Sequence, residues 1–325
     1  MRKTGIILLG FLSVILFYFT FQSAEKVFRS DLKVPELAIE PVNQHRLVLI
    51  TKNLDTPFWD QVAEGAQEQA QKEGVSLEVW GSYGNNQDDF LEKMEVAIYS
   101  KVDGIIVQGL DSEEFNELTK IKASFYSIPI ITVANDVPME ESLRRTYVGS
   151  NQYLAGQMLA EQLVADMGAK GEVVLMSDSD QEYYQKQRLQ GITDVLKGYP
   201  DIQTVNAETL QSREQIMSAT QNVLNKAPGA DAFIAVNADF TGVMVQEIGK
   251  RFQVEPYYIY SFDDGPDSLT LLEQGKLDGI IEQSPKEMGT VSVELITKWL
   301  NDEAVPLDAE GYLTDIRMLE EKEAQ

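Results

Sequence analysis

The 325-residue chain contains no cysteine and a single histidine, and its 27 Lys and Arg residues are outnumbered by 52 Asp and Glu. Without cysteine there is no disulfide, no thiolate metal site, no cysteine nucleophile and no lipidated N-terminal cysteine. One histidine leaves little for imidazole chemistry, so cysteine hydrolases, His-rich zinc enzymes and Ser-His-Asp hydrolases are all disfavoured. That residue, His45, falls at the end of a segment with no second ligand or nucleophile nearby and reads as a solvated side chain. A formal net charge of −25 opposes the basic footprint of nucleic-acid binding. Neither G-x-G-x-x-G nor G-x-x-x-x-G-K-[ST] occurs, so no cradle for a dinucleotide or triphosphate is expected. No organic cofactor or metal is implied.

Apolar residues, at 43% of the chain, are ample for buried cores, and at about 150 residues per domain the length predicts two globular units. Arg2 and Lys3 precede an uncharged run from Thr4 to Ala24, rich in Ile, Leu, Val and Phe. As a helix at ~1.5 Å per residue it reaches roughly 31 Å, about one hydrocarbon core. Cleavage after Ser23 or Ala24 would put Phe21 or Gln22 where a signal peptidase needs a small residue. Residues 1–24 are therefore expected to be an uncleaved anchor, with Arg2 and Lys3 cytoplasmic and everything after Glu25 exported; secretion after cleavage is the alternative. Residues 25–45, charged and carrying two prolines, read as a linker.

From Arg46 onward, short β-rich runs alternate with amphipathic stretches of helical length. The runs are 46–51, 76–80, 103–108, 129–133, 146–149, 171–177, 202–206, 231–236, 257–262 and 278–283. This is the βαβ rhythm of parallel sheets covered by helices on both faces, and ten strands exceed one ordinary open sheet. The expected fold is therefore α/β, with two doubly wound, Rossmann-like lobes meeting near residue 150.

In open α/β sheets, ligands bind beyond the carboxyl ends of the strands. Here polar or aromatic residues follow nearly every apolar run: Lys52 through Trp59, Asn135 and Asp136, Asn237, Asp263 and Gln283. Asp and Asn also cap helices, so the weight lies with the set. Sugars present vicinal hydroxyls and C–H ring faces. They are matched by planar groups that make two hydrogen bonds at once, together with flat aromatic walls.

Segment 47–66 (LVLITKNLDTPFWDQVAEGA) resembles the opening of the type I periplasmic sugar-binding proteins of the ribose and xylose kind. Looser matches follow at 128–136, 148–156, 188–192, 232–239, 262–268 and 275–285, covering roughly 46–320. The resemblance implies that Phe58 and Trp59 sandwich a sugar ring, that Thr56 replaces an Asn that bonds a hydroxyl, and that Lys52 stands where a small polar residue is usual. It implies that Arg188 donates to ring or hydroxyl oxygens and that Asn237, Asp263 and Gln283 are direct polar contacts. Ribose binders carry Asp-Arg after the fourth strand. This chain has Ala134, Asn135 and Asp136 there, so Asn135 or Asp136 is the expected substitute and a related pentose or hexose the expected ligand.

The resemblance further implies three crossover strands near 149–152, 263–284 and 309–313 forming a hinge, with one lobe built from 46–150 and 284–311 and the other from 151–283 and 312–325. The expected activity is binding of a monosaccharide without transforming it, with an ABC permease or a sensor histidine kinase as membrane partner. A repressor-like effector domain is opposed by the missing helix-turn-helix and by the Thr4–Ala24 run. A sugar-acting enzyme is the other alternative, but the pairs Asp178/Asp180 and Asp263/Asp264 read more simply as hydroxyl clamps or caps.

Overall fold

The computed structural model describes residues 13–21, 44–84, 86–251, 257–262 and 265–320. Residues 13–21 are helical (α1). The rest of the expected anchor, and the linker as far as residue 43, lie outside the described residues. Among the described residues no helix is long and apolar enough to cross a membrane.

Residues 44–320 hold two six-stranded sheets. The first has the order β11-β5-β4-β3-β1-β2 and the second β12-β10-β9-β8-β6-β7. The first is built from β1 (Arg46–Thr51), β2 (Ser76–Gly81), β3 (Gly104–Gln108), β4 (Ile130–Val133), β5 (Thr146–Gly149) and β11 (Tyr312–Leu313). The second is built from β6 (Lys170–Asp178), β7 (Asp201–Thr209), β8 (Ala232–Ala235), β9 (Tyr258–Phe262), β10 (Gly279–Glu282) and β12 (Arg317–Glu320). Every pairing is parallel except β10 with β12. The order 2-1-3-4-5 recurs as 7-6-8-9-10, so each sheet reverses direction beside its first strand, β1 or β6.

Continuous apolar strands are what a sheet buried on both faces requires. Along β1, Leu47 and Leu49 enter one core while Val48 and Ile50 enter the other. The first of these cores is closed by α2 (Pro57–Glu73) and α11 (Pro285–Leu300), and the second by α3 (Gln87–Tyr99) and α4 (Glu113–Glu117). In the second lobe, α6 (Gln152–Met167) and α7 (Tyr183–Leu196) cover one face; α8 (Arg213–Lys226), α9 (Thr241–Ile248) and α10 (Pro266–Glu273) cover the other. Each fully buried Leu or Ile stabilises by about 1.5–3 kcal/mol, which makes these four apolar layers the bulk of the favourable term.

One helix pair in each lobe touches backbone to backbone. A Cβ on Gly65 of α2 would lie 1.9 Å from the Lys286 carbonyl, and one on Gly289 of α11 would lie 1.9 Å from that of Val62. The second lobe repeats the device: Gly156 of α6 faces the Arg188 carbonyl at 2.2 Å and Gly191 of α7 faces that of Tyr153 at 2.1 Å.

The chain passes between sheets three times, after Gly149, after Glu282 and after Leu313. The last differs from the expected boundary at 311/312, because Tyr312 and Leu313 pair with Val148 and Gly149 of the first sheet before β12 joins the second.

Candidate functional site

Between the two sheets lies a cleft of about 340 Å³. It opens where both sheets reverse direction, the place where strand ends diverge and leave room for a ligand.

From the first lobe come Lys52 after β1 and Gln108 at the end of β3. Gln108 Oε1 accepts from the Lys52 backbone N–H (2.8 Å) and from Thr51 Oγ1 (3.0 Å), a buried tie between adjacent strands. Thr56 caps α2: its hydroxyl accepts from the Trp59 N–H at 3.4 Å and donates to the Asn53 carbonyl at 3.2 Å. Pro57 at the first helical position fixes the turn. The cap aims the start of α2, and with it Phe58 and Trp59, at the cleft.

Those rings do not sandwich anything between them. Their centroids are 5.6 Å apart with planes at 77°, an edge-to-face contact that leaves no room for a sugar ring, and Trp59 is 5% exposed within the core under α2. They form one wall. Tyr184, from α7 of the other lobe, lines the same cleft. Desolvation, and after it the nearby Glu182 carboxylate, hold its phenol well above the ordinary tyrosine value, so it stays a neutral hydroxyl.

After β4 the chain turns at Ala134, whose φ of +63° is uncommon for a residue with a side chain. Asn135, next in the turn, lines the cleft. Asp136 is not among the lining residues. Arg144 grips its carboxylate with two bonds, Nε to Oδ1 at 2.6 Å and Nη2 to Oδ2 at 2.7 Å, and Thr132 adds a third at 2.7 Å. Expected in the site, Asp136 is instead half of a structural ion pair.

The second lobe contributes Arg188, buried at 3% exposure. Its Nε donates to Gln152 Oε1 (2.8 Å), its Nη1 donates to the Val236 carbonyl (2.9 Å), and its guanidinium lies 4.1 Å from the centroid of Phe262 and 5.0 Å from that of Tyr184. Gln152 in turn donates to Gln283 at 3.3 Å. Asn237 both lines the cleft and caps the following 3₁₀ turn, its Oδ1 accepting from the Asp239 N–H at 3.1 Å. Its amide donates to Asp178 at 2.9 Å, and the same Asp178 oxygen accepts from Gln211 (3.0 Å) and from Gln185. Three amides thus hold Asp178 as an anchor for neighbouring side chains. Asp263 and Asp264 lie outside the described residues.

The cleft therefore gathers Lys52, Thr56, Phe58, Trp59, Asn135, Arg188, Asn237 and Gln283. Sequence reasoning missed Gln108, Gln152, Glu182, Tyr184, Gln211 and Asp239, which also line it. Gln108 carried a usable signal, a polar residue closing the apolar run GIIVQ.

The lobes also meet through charges: Lys52 Nζ lies 2.5 Å from Glu182 Oε1, and Lys186 Nζ lies 2.7 Å from Asp111 Oδ2. Tyr147, beside the first crossover, places its hydroxyl 3.0 Å from the carbonyls of both Ala134 and Ser150.

Comparison with known proteins agrees with this architecture. The chain is similar to the structure of GanP, a glucose-galactose binding protein from Geobacillus stearothermophilus, at 28% identity and a TM-score of 0.80, covering 86% of this chain and 98% of that one. It resembles the XylFII–LytSN complex at 23% identity and a TM-score of 0.76, covering 86% and 99% of the respective chains. Among curated sequences it is 23% identical over 277 residues to the ribose import binding protein RbsB of Escherichia coli, 84% of this chain and 90% of that one. Residues 47–304 match the family model of the periplasmic binding protein domain, and the chain belongs to that family.

Proposed function

We propose that this protein is an extracytoplasmic receptor that closes around one monosaccharide, a pentose or hexose, without transforming it. The observation that carries this reading is the composition of the cleft. Planar hydrogen-bonding groups (Gln108, Asn135, Gln152, Arg188, Asn237, Gln283) converge from both sheets beside the aromatic faces of Phe58, Trp59 and Tyr184. Amide and guanidinium groups pair with vicinal hydroxyls, and ring C–H surfaces lie on aromatic faces. The volume suits a small ligand. Relatives named for ribose and for glucose and galactose support the same class.

The uncharged Thr4–Ala24 run behind Arg2 and Lys3 supports tethering to the membrane, with the binding lobes outside the cytoplasm. A tethered receptor that changes shape on binding is suited to present its closed surface to a membrane partner, an ABC permease or a sensor histidine kinase. Titration calorimetry of the full chain against pentoses, hexoses and inositol tests the reading. One sugar should bind with one-to-one stoichiometry and be recovered unchanged. Absence of binding across the panel, or appearance of a product, overturns it.

A further inference from the structure

Glu182 immediately precedes α7 of the second lobe and Lys52 follows β1 of the first, so their 2.5 Å contact spans the cleft. Both side chains line the cavity and are largely buried, at 9% exposure for Lys52 and 16% for Glu182. An ammonium has three protons to donate, and Glu182 Oε1 takes one. Glu182 Oε2 and, beside Lys52, Asn53 Oδ1 are buried with no hydrogen-bond partner among the described residues. Leaving such acceptors unpaired is costly. Lys52 thus offers proton donors, and Glu182 Oε2 and Asn53 Oδ1 offer acceptors, to a group that can serve both.

A hydroxyl is that group. Its oxygen accepts from Lys52 Nζ while its proton goes to Glu182 Oε2 or Asn53 Oδ1. A carboxylate has no proton to give, and a carboxylate or phosphate would meet the charge of Glu182, Asp239 and Asp267, which outnumber Lys52 and Arg188 around the cavity. We propose that Lys52 and Glu182 form a lobe-spanning subsite for one hydroxyl of a neutral monosaccharide, and that the pair sets specificity against sugars bearing carboxylate or phosphate. This deepens the monosaccharide reading and rests on it. Because the pair joins the two lobes, the hydroxyl it holds is bound only when the cleft is closed.

The test is calorimetry on the full chain with the sugar that binds best, its monodeoxy derivatives and its uronic acid. The parent is compared with Lys52→Met/Glu182→Met, which removes both charges together and so leaves neither buried alone. One monodeoxy derivative should bind the parent about tenfold or more weakly than the full sugar. In the double variant that same penalty should fall below about threefold, while the penalties for the other deoxy positions stay as they were. A purely structural pair would weaken every analogue equally. Should the double variant lack native circular dichroism, Glu182→Gln serves instead, with the same collapse of one deoxy penalty expected. An unchanged penalty, or a uronic acid binding the parent as tightly as the neutral sugar, overturns the subsite alone. A parent that binds no sugar overturns the carbohydrate reading and the subsite with it.

Discussion

Arg188 and Phe262 form a stacked pair, with the guanidinium carbon 4.1 Å from the ring centroid. Phe262 ends β9 and Arg188 lies within α7, so the stack ties a strand end of the second sheet to the helix covering it. With its Nε on Gln152 and its Nη1 on the Val236 carbonyl, the side chain is held on three sides. A lysine keeps the charge but has neither the planar fork nor the flat face. Arg188→Lys should therefore weaken sugar binding by roughly 10–100-fold, the effect of about one hydrogen bond at a charged donor. Parent-like affinity measured by calorimetry would exclude Arg188 from the recognition network.

The same helix depends on two glycines. Replacing Gly156 or Gly191 with Ala puts a methyl about 2 Å from a backbone carbonyl of the facing helix, and helices must separate to admit it. Each substitution should lower unfolding free energy by about 1–3 kcal/mol, as overpacking does in other cores. Gly156→Ala pushes on the carbonyl of Arg188 itself, so it should also weaken binding. Urea unfolding together with calorimetry checks both halves of this expectation.

The strands were legible because each is a run of apolar residues too short for a helix and bounded by turns, and burial on both faces leaves little alternative. β11 shows no apolar run of its own, because it has only two residues and is defined by its partner β5; only the resemblance points to a crossover strand there. Site residues that follow a strand directly, such as Lys52, Asn237 and Gln283, could be found by position. Those at helix starts, Gln152, Glu182 and Tyr184, could not, because a polar residue there reads equally well as part of a cap. The Lys52–Glu182 contact joins positions 130 residues apart, and no local pattern announces it. Asp136 misled for the opposite reason. Its place after β4 fits a ligand contact, but Arg144, eight positions on, claims the carboxylate.

Asp136 provides a clean separation of stability from binding. Arg144 is 4% exposed, and removing the charge opposite it strands a buried guanidinium. Asp136→Asn should therefore cost on the order of 3 kcal/mol of stability while leaving sugar affinity unchanged, since Asp136 does not line the cleft. A large loss of affinity in a variant that remains folded would return Asp136 to the site.

Tyr147 predicts how the region of the first crossover responds to alkali. Burial, and then the nearby Asp136 carboxylate, push its phenol well above the ordinary value. In the unfolded chain it ionises at roughly pH 10. Below that pH the phenol is neutral in both states and its contribution is fully present. Above it, the unfolded state loses the proton while the folded state keeps it, so stability falls by about 1.4 kcal/mol per pH unit for this group until the folded value is reached. Tyr147→Phe removes the hydroxyl that serves the Ala134 and Ser150 carbonyls and should be about 1–2 kcal/mol less stable than the parent near neutrality. Because phenylalanine does not titrate, that deficit should shrink as the pH climbs from about 9 to 11. Some downward slope should persist in the variant, since burial and the bond to Asp166 raise the Tyr260 phenol in the same sense. Urea unfolding of both proteins across this range reads the difference directly, and a deficit that stays constant would show that Tyr147 does not carry the titration.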